Sequence, residues 1–381
     1  MKALQVVSST VGRHDILSSI AIGVGAEKHD VEFASFDEGT GDFASLLRRH
    51  GVVLHALGLG STLRSVVRLR RLLRGTEAAV VQAHGHHASL LLVLSMLGLR
   101  GGPASMPIRH HNLSHHLIRS RLRVFLDRLI IHRADGVVAT STSVRDTLIA
   151  EGCPLDRLYF ATNGRDWDDA GQDRNRVIQV RGSCQHEFLL VAVGNLKFEK
   201  DYPTLIRAVR EVVDRGTDVE LQIAGVGDDQ DRTQLEALVS DLDLADHVRL
   251  LGWVEDALTL IAAADLFVHS AIDEASPQVV YEAAGLGVPV VATSAGGITD
   301  ILGRHYELVD PGDPVGLAEM VLRCLSELDA NRRRAESIAV DIRKRYGSAR
   351  CRESYLRACS DLLRDMDARV DPSREGGAVD R

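Results

Sequence analysis

The stretch HSAIDEASPQVVYEAAGLGVPVVAT, residues 269–293, decides the fold. Its first residues close an apolar strand, LFVHSA, and its last residues, PVVAT, form the next strand. Between them SPQVVYEAAGLG opens with Pro277 near a helix start and closes with Gly285 and Gly287. Strand, loop, helix and strand in that order make a parallel unit, whose carboxyl strand ends and helix N-terminus share one edge. Backbone N–H groups and the helix dipole at that edge favour an anion such as a diphosphate. Glu274 falls on the loop there, and Glu282 falls in the helix about one turn from its start. Carboxylates so placed can accept hydrogen bonds from sugar hydroxyls; the plainer alternative is a solvated Glu274 and a Glu282 on a helix face.

Working outward, VAVGNLKFEKDYPTLIRA (191–208) reads as a strand ending at Gly194, then a loop carrying Lys197 and Lys200, then a helix from about Pro203. A cation on this loop faces the same edge, although an isolated lysine is more often a surface residue. Ala295, Gly296 and Gly297 follow PVVAT, and two glycines permit positive φ or close approach of backbone to a ligand. Two more strands, in LQIAGVGDDQ and VRLLGWV, end at Gly225 and Gly252, the latter just before Trp253 and Val254.

The 381 residues are enough for two domains. Apolar runs at 4–8, 31–36, 52–57, 79–83, 104–108, 137–139 and 158–161 alternate with helix-length segments. A second series runs at 188–193, 221–224, 248–251, 266–270, 290–293 and 306–309. The expected architecture is α/β: two doubly wound, Rossmann-like domains with a cleft between them. Boundaries are expected at 1–165 for the first domain, 166–187 for a polar linker and 188–345 for the second domain. A C-terminal helix over 346–368 and a disordered tail over 369–381 complete the chain.

The motifs together resemble the large family of retaining GT-B glycosyltransferases, glycosyl transferases group 1 and family 4, whose donor site carries two glutamates eight apart before a PVVAT-like strand. The resemblance implies that Glu274 contacts the transferred sugar and Glu282 the ribose of the nucleotide. It implies that Lys200 neutralises the leaving diphosphate, and that Asn195 stands where the family has arginine, one positive charge fewer. Gly12, Gly194, Gly225, Trp253, Val254, Ser276, Pro277, Val279, Gly296 and Gly297 fall on the remaining donor-side positions. The helix over 346–368 is implied to return across the domain junction. Metal and cofactor are not implied; a UDP- or GDP-sugar is the expected substrate.

Eight of the sixteen histidines lie between His84 and His132, seven of them in AHGHH and RHHNLSHH, each run closing a strand. Metal ligation would need converging imidazoles with acids and a second shell, and few acids lie in this region. Strand-end capping accounts for several of them. The resemblance supplies a third reading, an acceptor-side group opposite the donor, for which His110 is the catalytic candidate and His84 and His111 the secondary ones.

Charge is split unevenly: residues 1–165 hold 20 Lys+Arg against 13 Asp+Glu, a net of +7, and the remainder −15, for −8 overall. The basic runs TLRSVVRLRRLLRG and LIRSRLRVFLDRLIIHR suit a solvated helix face, or contact with an anionic membrane surface. Nucleic acid fits poorly, because no stacking aromatics accompany the arginines. ASLLLVLSMLGL is too short to span a bilayer, and the N-terminus reads as a first strand, not a signal peptide. Five scattered cysteines without a CxxC pair point to reduced thiols in the cytoplasm, with peripheral attachment at the inner membrane face as the variant.

The expected activity is transfer of a sugar from a nucleotide-diphosphate sugar to an acceptor hydroxyl with retention of configuration, in polysaccharide, glycolipid or glycoconjugate synthesis. A nucleotide-sugar epimerase of the same shape, or a non-catalytic sugar-nucleotide or polysaccharide-binding protein, would use the same donor residues. An NAD-dependent oxidoreductase is disfavoured because GVGDDQ lacks the third glycine of the dinucleotide fingerprint.

Overall fold

The computed structural model describes residues 1–11, 15–22, 31–58, 60–110, 121–168 and 173–370. The chain divides into two compact units: Met1–Arg165 joined by the chain from Tyr346 onward, and Asp166–Arg345.

Among the described residues the first unit has seven strands: β1 (Ala3–Val7), β2 (Val31–Ser35), β3 (Leu54–Ala56), β4 (Val80–His84), β5 (Ala104–Arg109), β6 (Val137–Ala139) and β7 (Leu158–Phe160). They lie in the order β3-β2-β1-β4-β5-β6-β7, and every pairing is parallel. Strand order reverses between β1 and β4, which makes that gap the switch point of the sheet. All five residues of β1 are buried, as expected for a parallel strand covered on both faces. One face packs Phe33, Val80 and Met106 against Tyr355, Cys359 and Leu362 of the C-terminal helix Ser348–Val370. The other packs Leu4, Val6 and Val81 against Leu69 and Leu73 of helix Thr62–Gly75 and Leu91 and Leu92 of helix Gly85–Met96. The run TLRSVVRLRRLLRG forms the first of these helices because Ser65, Leu69 and Leu73, four apart, give it one buried stripe.

The second unit has five strands: β8 (Phe188–Val193), β9 (Val219–Ala224), β10 (Val248–Gly252), β11 (Leu266–His269) and β12 (Val290–Ala292). Their order is β10-β9-β8-β11-β12, again all parallel, with the switch point between β8 and β11. Helix Tyr202–Asp214 starts where Asp201, at φ +46, accepts a hydrogen bond from the Thr204 N–H, with Pro203 in the first turn. It buries Leu205, Ile206, Val209 and Val212 on the sheet.

Two expected elements differ. The run at 306–309 is not a strand; it contributes a single parallel bridge, Val309 with Thr293. Pro311 has no N–H to offer and Gly312 turns at φ +77, so the ladder cannot continue past Asp310. The expected linker at 166–187 carries a helix, Arg174–Gly182, and belongs to the second unit. Asp173 caps that helix by accepting from the Asn175 and Arg176 N–H groups, and Trp167 packs edge-on against Tyr281. The C-terminal helix runs to Val370, two residues past its expected end, and the rest of the tail lies outside the described residues. Among the described residues no helix is long and apolar enough to cross a membrane.

Candidate active site

The two switch points carry most of the chemistry, each at the carboxyl ends of its strands, where open α/β sheets bind ligands.

In the second unit β8 ends at Val193, just before Gly194, and β11 at His269, so their following loops meet across the switch point. The Ile272 N–H donates to the Glu199 carbonyl at 2.9 Å, and the Ser270 hydroxyl to the Lys200 carbonyl at 2.8 Å. These bonds lock the lysine loop onto the glutamate loop. The Gly297 N–H donates to the Glu274 carbonyl at 2.8 Å, tying in the glycine pair after β12. Gly296 sits at φ +49, a conformation that glycine adopts at little cost.

On this frame the Lys200 ammonium pairs with Glu274 Oε1, and the buried His269 donates to the same oxygen from Nε2 at 2.8 Å. Burial by itself would raise the Glu274 carboxyl, but the His269 hydrogen bond, its charge and the Lys200 ammonium outweigh that and hold it at about 2. Burial pushes the His269 imidazole below its usual value. The arrangement is therefore an imidazole donating to an ionised carboxylate that also faces an ammonium. The Lys200 charge expected on phosphate is thus directed at Glu274.

Glu282 lies within helix Gln278–Gly285, 5 % exposed, with buried Pro277 as its cap and half-buried Ser276 and Val279 beside the cap. Asn195 is exposed, as is Lys197. Gly225 packs so closely on the end of β8 that an added Cβ would lie 1.8 Å from the Gly194 carbonyl oxygen. Gly194 and Gly225 thus serve the contact of two loops with each other. Trp253 presents a ring that is 72 % exposed, with half-buried Val254 after it.

In the first unit the equivalent edge carries a chain of hydrogen bonds that ends on two histidines. The Gln82 amide donates to the Tyr355 carbonyl at 3.2 Å, and that carbonyl can only accept. Gln82 Oε1 therefore receives the Gln5 amide, at 2.7 Å, and Gln5 Oε1 receives Nε2–H of His84, also at 2.7 Å. In its neutral form His84 then accepts at Nδ1 from Nε2–H of His110, 3.1 Å away. Each link fixes the next, so a helix carbonyl sets the tautomers of both histidines through two buried amides. Tyr355 is itself anchored by its hydroxyl to Asn163, 2.9 Å away. His86 does not join this chain; it pairs with the buried Asp127 at 2.6 Å. Gly12 and His111 lie outside the described residues. A shallow groove of about 700 Å³ beside edge strand β3 is lined by Glu38, His55, Arg68 and Arg71, and β3 lies two strands from the switch point of its own sheet.

Three residues of these networks carry no role in the sequence motifs: His269, Gln5 and Gln82. A polar residue inside an otherwise apolar buried strand, as in ALQVV and VVQAH, is the signal that marks the two glutamines.

Two family models match the chain, "Glycosyltransferase Family 4" over residues 17–169 and "Glycosyl transferases group 1" over residues 187–327. The chain belongs to this family of glycosyltransferases. The lipopolysaccharide core biosynthesis glycosyltransferase LpsD of Rhizobium meliloti is 33 % identical over 171 residues, 44 % of this chain and 48 % of that protein. The N-acetyl-alpha-D-glucosaminyl L-malate synthase of Bacillus anthracis is 26 % identical over 63 % of each chain. These matches thus span from about half to just under two thirds of the relatives' length. Among solved structures, Anabaena HepE in complex with UDP-glucose matches with a TM-score of 0.79 at 20 % identity, covering 97 % of this chain and all of that one. The likeness extends the GT-B fold to both units.

Proposed function

We propose that the chain transfers a sugar from a nucleotide-diphosphate sugar to an acceptor hydroxyl with retention of configuration, in the synthesis of a polysaccharide, glycolipid or other glycoconjugate. The observation that carries the reading is the Lys200–Glu274–His269 cluster at the switch point of the second sheet. It combines a cation for a leaving diphosphate with a carboxylate held ionised for a sugar hydroxyl. As the bond between the anomeric carbon and the phosphate oxygen breaks, negative charge grows on the diphosphate, and Lys200 shifts its interaction from Glu274 toward it. The acceptor oxygen bonds to the anomeric carbon from the face the nucleotide leaves, and a phosphate oxygen takes the acceptor proton. Glu274 then orients the sugar and is not the nucleophile, while Glu282 holds the ribose. Gly12, Gly194, Asn195, Gly225, Trp253, Val254, Ser276, Pro277, Val279, Gly296 and Gly297 complete the donor side. His110, with His84 and His111, is assigned to the acceptor side.

HepE was solved with UDP-glucose, so UDP-sugars lead the donor screen and GDP-sugars follow. Thermal shift across such a panel should single out one nucleotide sugar, because a ligand of the native state raises stability with its concentration over Kd. Glu282→Ala should weaken that donor by about 1–3 kcal/mol. NMR of the product then reads the anomeric configuration; an inverted product overturns retention, and donor turnover without transfer to any acceptor overturns the transferase reading. Peripheral attachment to an anionic membrane would use helix Thr62–Gly75, whose Leu63, Val67, Arg64 and Arg71 are exposed. Flotation with anionic but not neutral vesicles tests it.

A further inference from the structure

The amino ends of β8, β9 and β10 hold a second cluster, at the edge of the sheet opposite the donor residues. His186 precedes β8, Asp218 precedes β9 and His247 precedes β10. These three strands are neighbours, so the parallel register brings the three residues together. One ring nitrogen from each histidine and a carboxylate oxygen of Asp218 all lie within 4.8 Å of one another. The length of β8, about 20 Å of strand, separates them from the Lys200 loop.

The hydrogen bonds around the cluster resemble those that orient metal ligands. His186 Nε2–H donates to the Asp246 carbonyl at 3.0 Å, and His247 Nδ1–H donates to the Val219 carbonyl at 2.7 Å. Each imidazole thus has one nitrogen fixed on a backbone carbonyl, which leaves the other, Nδ1 of His186 and Nε2 of His247, with its lone pair. Asp218 is held in the same way: its Oδ2 accepts from the Glu187 N–H at 3.0 Å, while Oδ1 faces His186 Nδ1 at 2.6 Å. Metal-ligating histidines commonly carry just this second bond to a carbonyl, and ligating carboxylates are themselves hydrogen-bonded. A nitrogen lone pair and a carboxylate at 2.6 Å need a positive charge between or upon them.

We propose that His186, Asp218 and His247 form a binding site for a divalent transition metal, with zinc the best fit, that clamps the amino ends of three strands of the second unit. Two imidazoles and one carboxylate are borderline ligands that suit zinc and leave a fourth position for water. Ligands at 2.0–2.1 Å in a tetrahedron lie about 3.3 Å apart, and the separations here, from 2.6 Å to 4.8 Å, bracket that value. The Asp218 side chain, 53 % exposed, has room for the small adjustment. No step of the proposed transfer uses this site.

The test titrates zinc chloride into the chelator-stripped full chain by calorimetry, with melting followed in parallel. One equivalent should bind, and at metal a hundred times its Kd the melting temperature should rise by about 5 °C, reversed by chelator. Asp218→Asn and His247→Gln, both outside the core, should each weaken binding on the order of tenfold or more. His86→Gln, in the first unit, should leave it unchanged. Zinc affinity that survives both Asp218→Asn and His247→Gln, or that falls with His86→Gln alone, would place the bound metal elsewhere and overturn the site. Absence of binding to the wild-type chain would overturn it too, leaving His186 and Asp218 as an ion pair.

Discussion

The two switch points solve one problem by different means. Each must hold a polar side chain in a fixed state at the edge of a buried parallel sheet. The second unit does it with charge: an ammonium and an imidazole converge on one oxygen of Glu274. The first unit does it with neutral donors and acceptors in series, from the Tyr355 carbonyl through Gln82 and Gln5 to His84 and His110. An ion pair responds when a new charge arrives, which suits the proposed diphosphate site. An amide chain holds a tautomer whatever charge comes near. The difference teaches that burial demands satisfied partners, while the choice between charged and neutral partners follows from what the edge has to do.

The largest effects should come from glycines, and they should differ between the units. At Gly225 an added Cβ meets the Gly194 carbonyl oxygen at 1.8 Å and the conformation is one that side chains resist, so Gly225→Ala should cost more than about 3 kcal/mol in unfolding free energy. Gly85, which follows β4 in the first unit at φ +80, has nothing within 4 Å of such a Cβ. Gly85→Ala should cost only about 1–2 kcal/mol, the strain of the left-handed backbone alone. Denaturant melts of both variants make the comparison; equal losses would show that the Gly194–Gly225 contact yields easily.

Next in size is Lys200→Met, which should lower kcat by on the order of 10²-fold, since the charge matters most as the diphosphate departs. Because the same ammonium offsets Glu274, the variant should also raise the Glu274 pKa from its present low value. Adding a positive charge to the lysine loop with Asn195→Arg should tighten nucleoside diphosphate binding, as the exposed side chain starts from the same loop. A fully active Lys200→Met enzyme would assign phosphate neutralisation to another cation.

How much of this was readable beforehand follows the same division. The strands, the switch from one sheet to the other, and Glu274, Glu282 and Lys200 stand out because an apolar run, a glycine and a charged residue recur over short spans of chain. The partners that set their states come from afar: Gln82 meets Tyr355 across 273 residues, and Lys200 meets Glu274 across 74. His269 was visible as a strand-end residue, but nothing in LFVHSA says that its ring turns back to a glutamate five residues on. The bridge at Val309 and the helix in 174–182 were misread for local reasons, a proline that stops the ladder and a capping aspartate inside a polar segment.

A smaller effect should follow from breaking the neutral chain. Gln82→Met removes the amide between Gln5 and the Tyr355 carbonyl at nearly constant volume, so the tautomers of His84 and His110 lose their anchor. The expectation is a fall in kcat of roughly tenfold with donor affinity unchanged, together with a shifted pH profile for kcat. Loss of donor affinity in parallel with kcat would mean that Gln82 serves only the fold.

The smallest effect separates the units by acid. Asp37 in the first unit and Glu274 in the second are both held at about 2. Burial opposes ionisation at both. At Asp37 it is outweighed by hydrogen bonds from neutral donors, the Thr10 N–H, the Thr10 and Ser9 hydroxyls and the Gly39 N–H; at Glu274 it is outweighed by His269 and Lys200. A carboxyl whose folded pKa lies below its unfolded one adds stability that is complete above the unfolded value, near 4 to 4.5, and is lost as pH falls toward 2. For the nearly buried Glu274 the loss should reach about 1 kcal/mol by pH 3.5. Lys200→Met should shrink the part of this acid limb that belongs to Glu274, because the raised pKa leaves less to lose, and should leave the Asp37 part intact. Melts of both proteins from pH 5 to pH 3 read the difference. Parallel curves would show that His269 alone keeps Glu274 ionised, and that the second switch point depends on its imidazole more than on its ammonium.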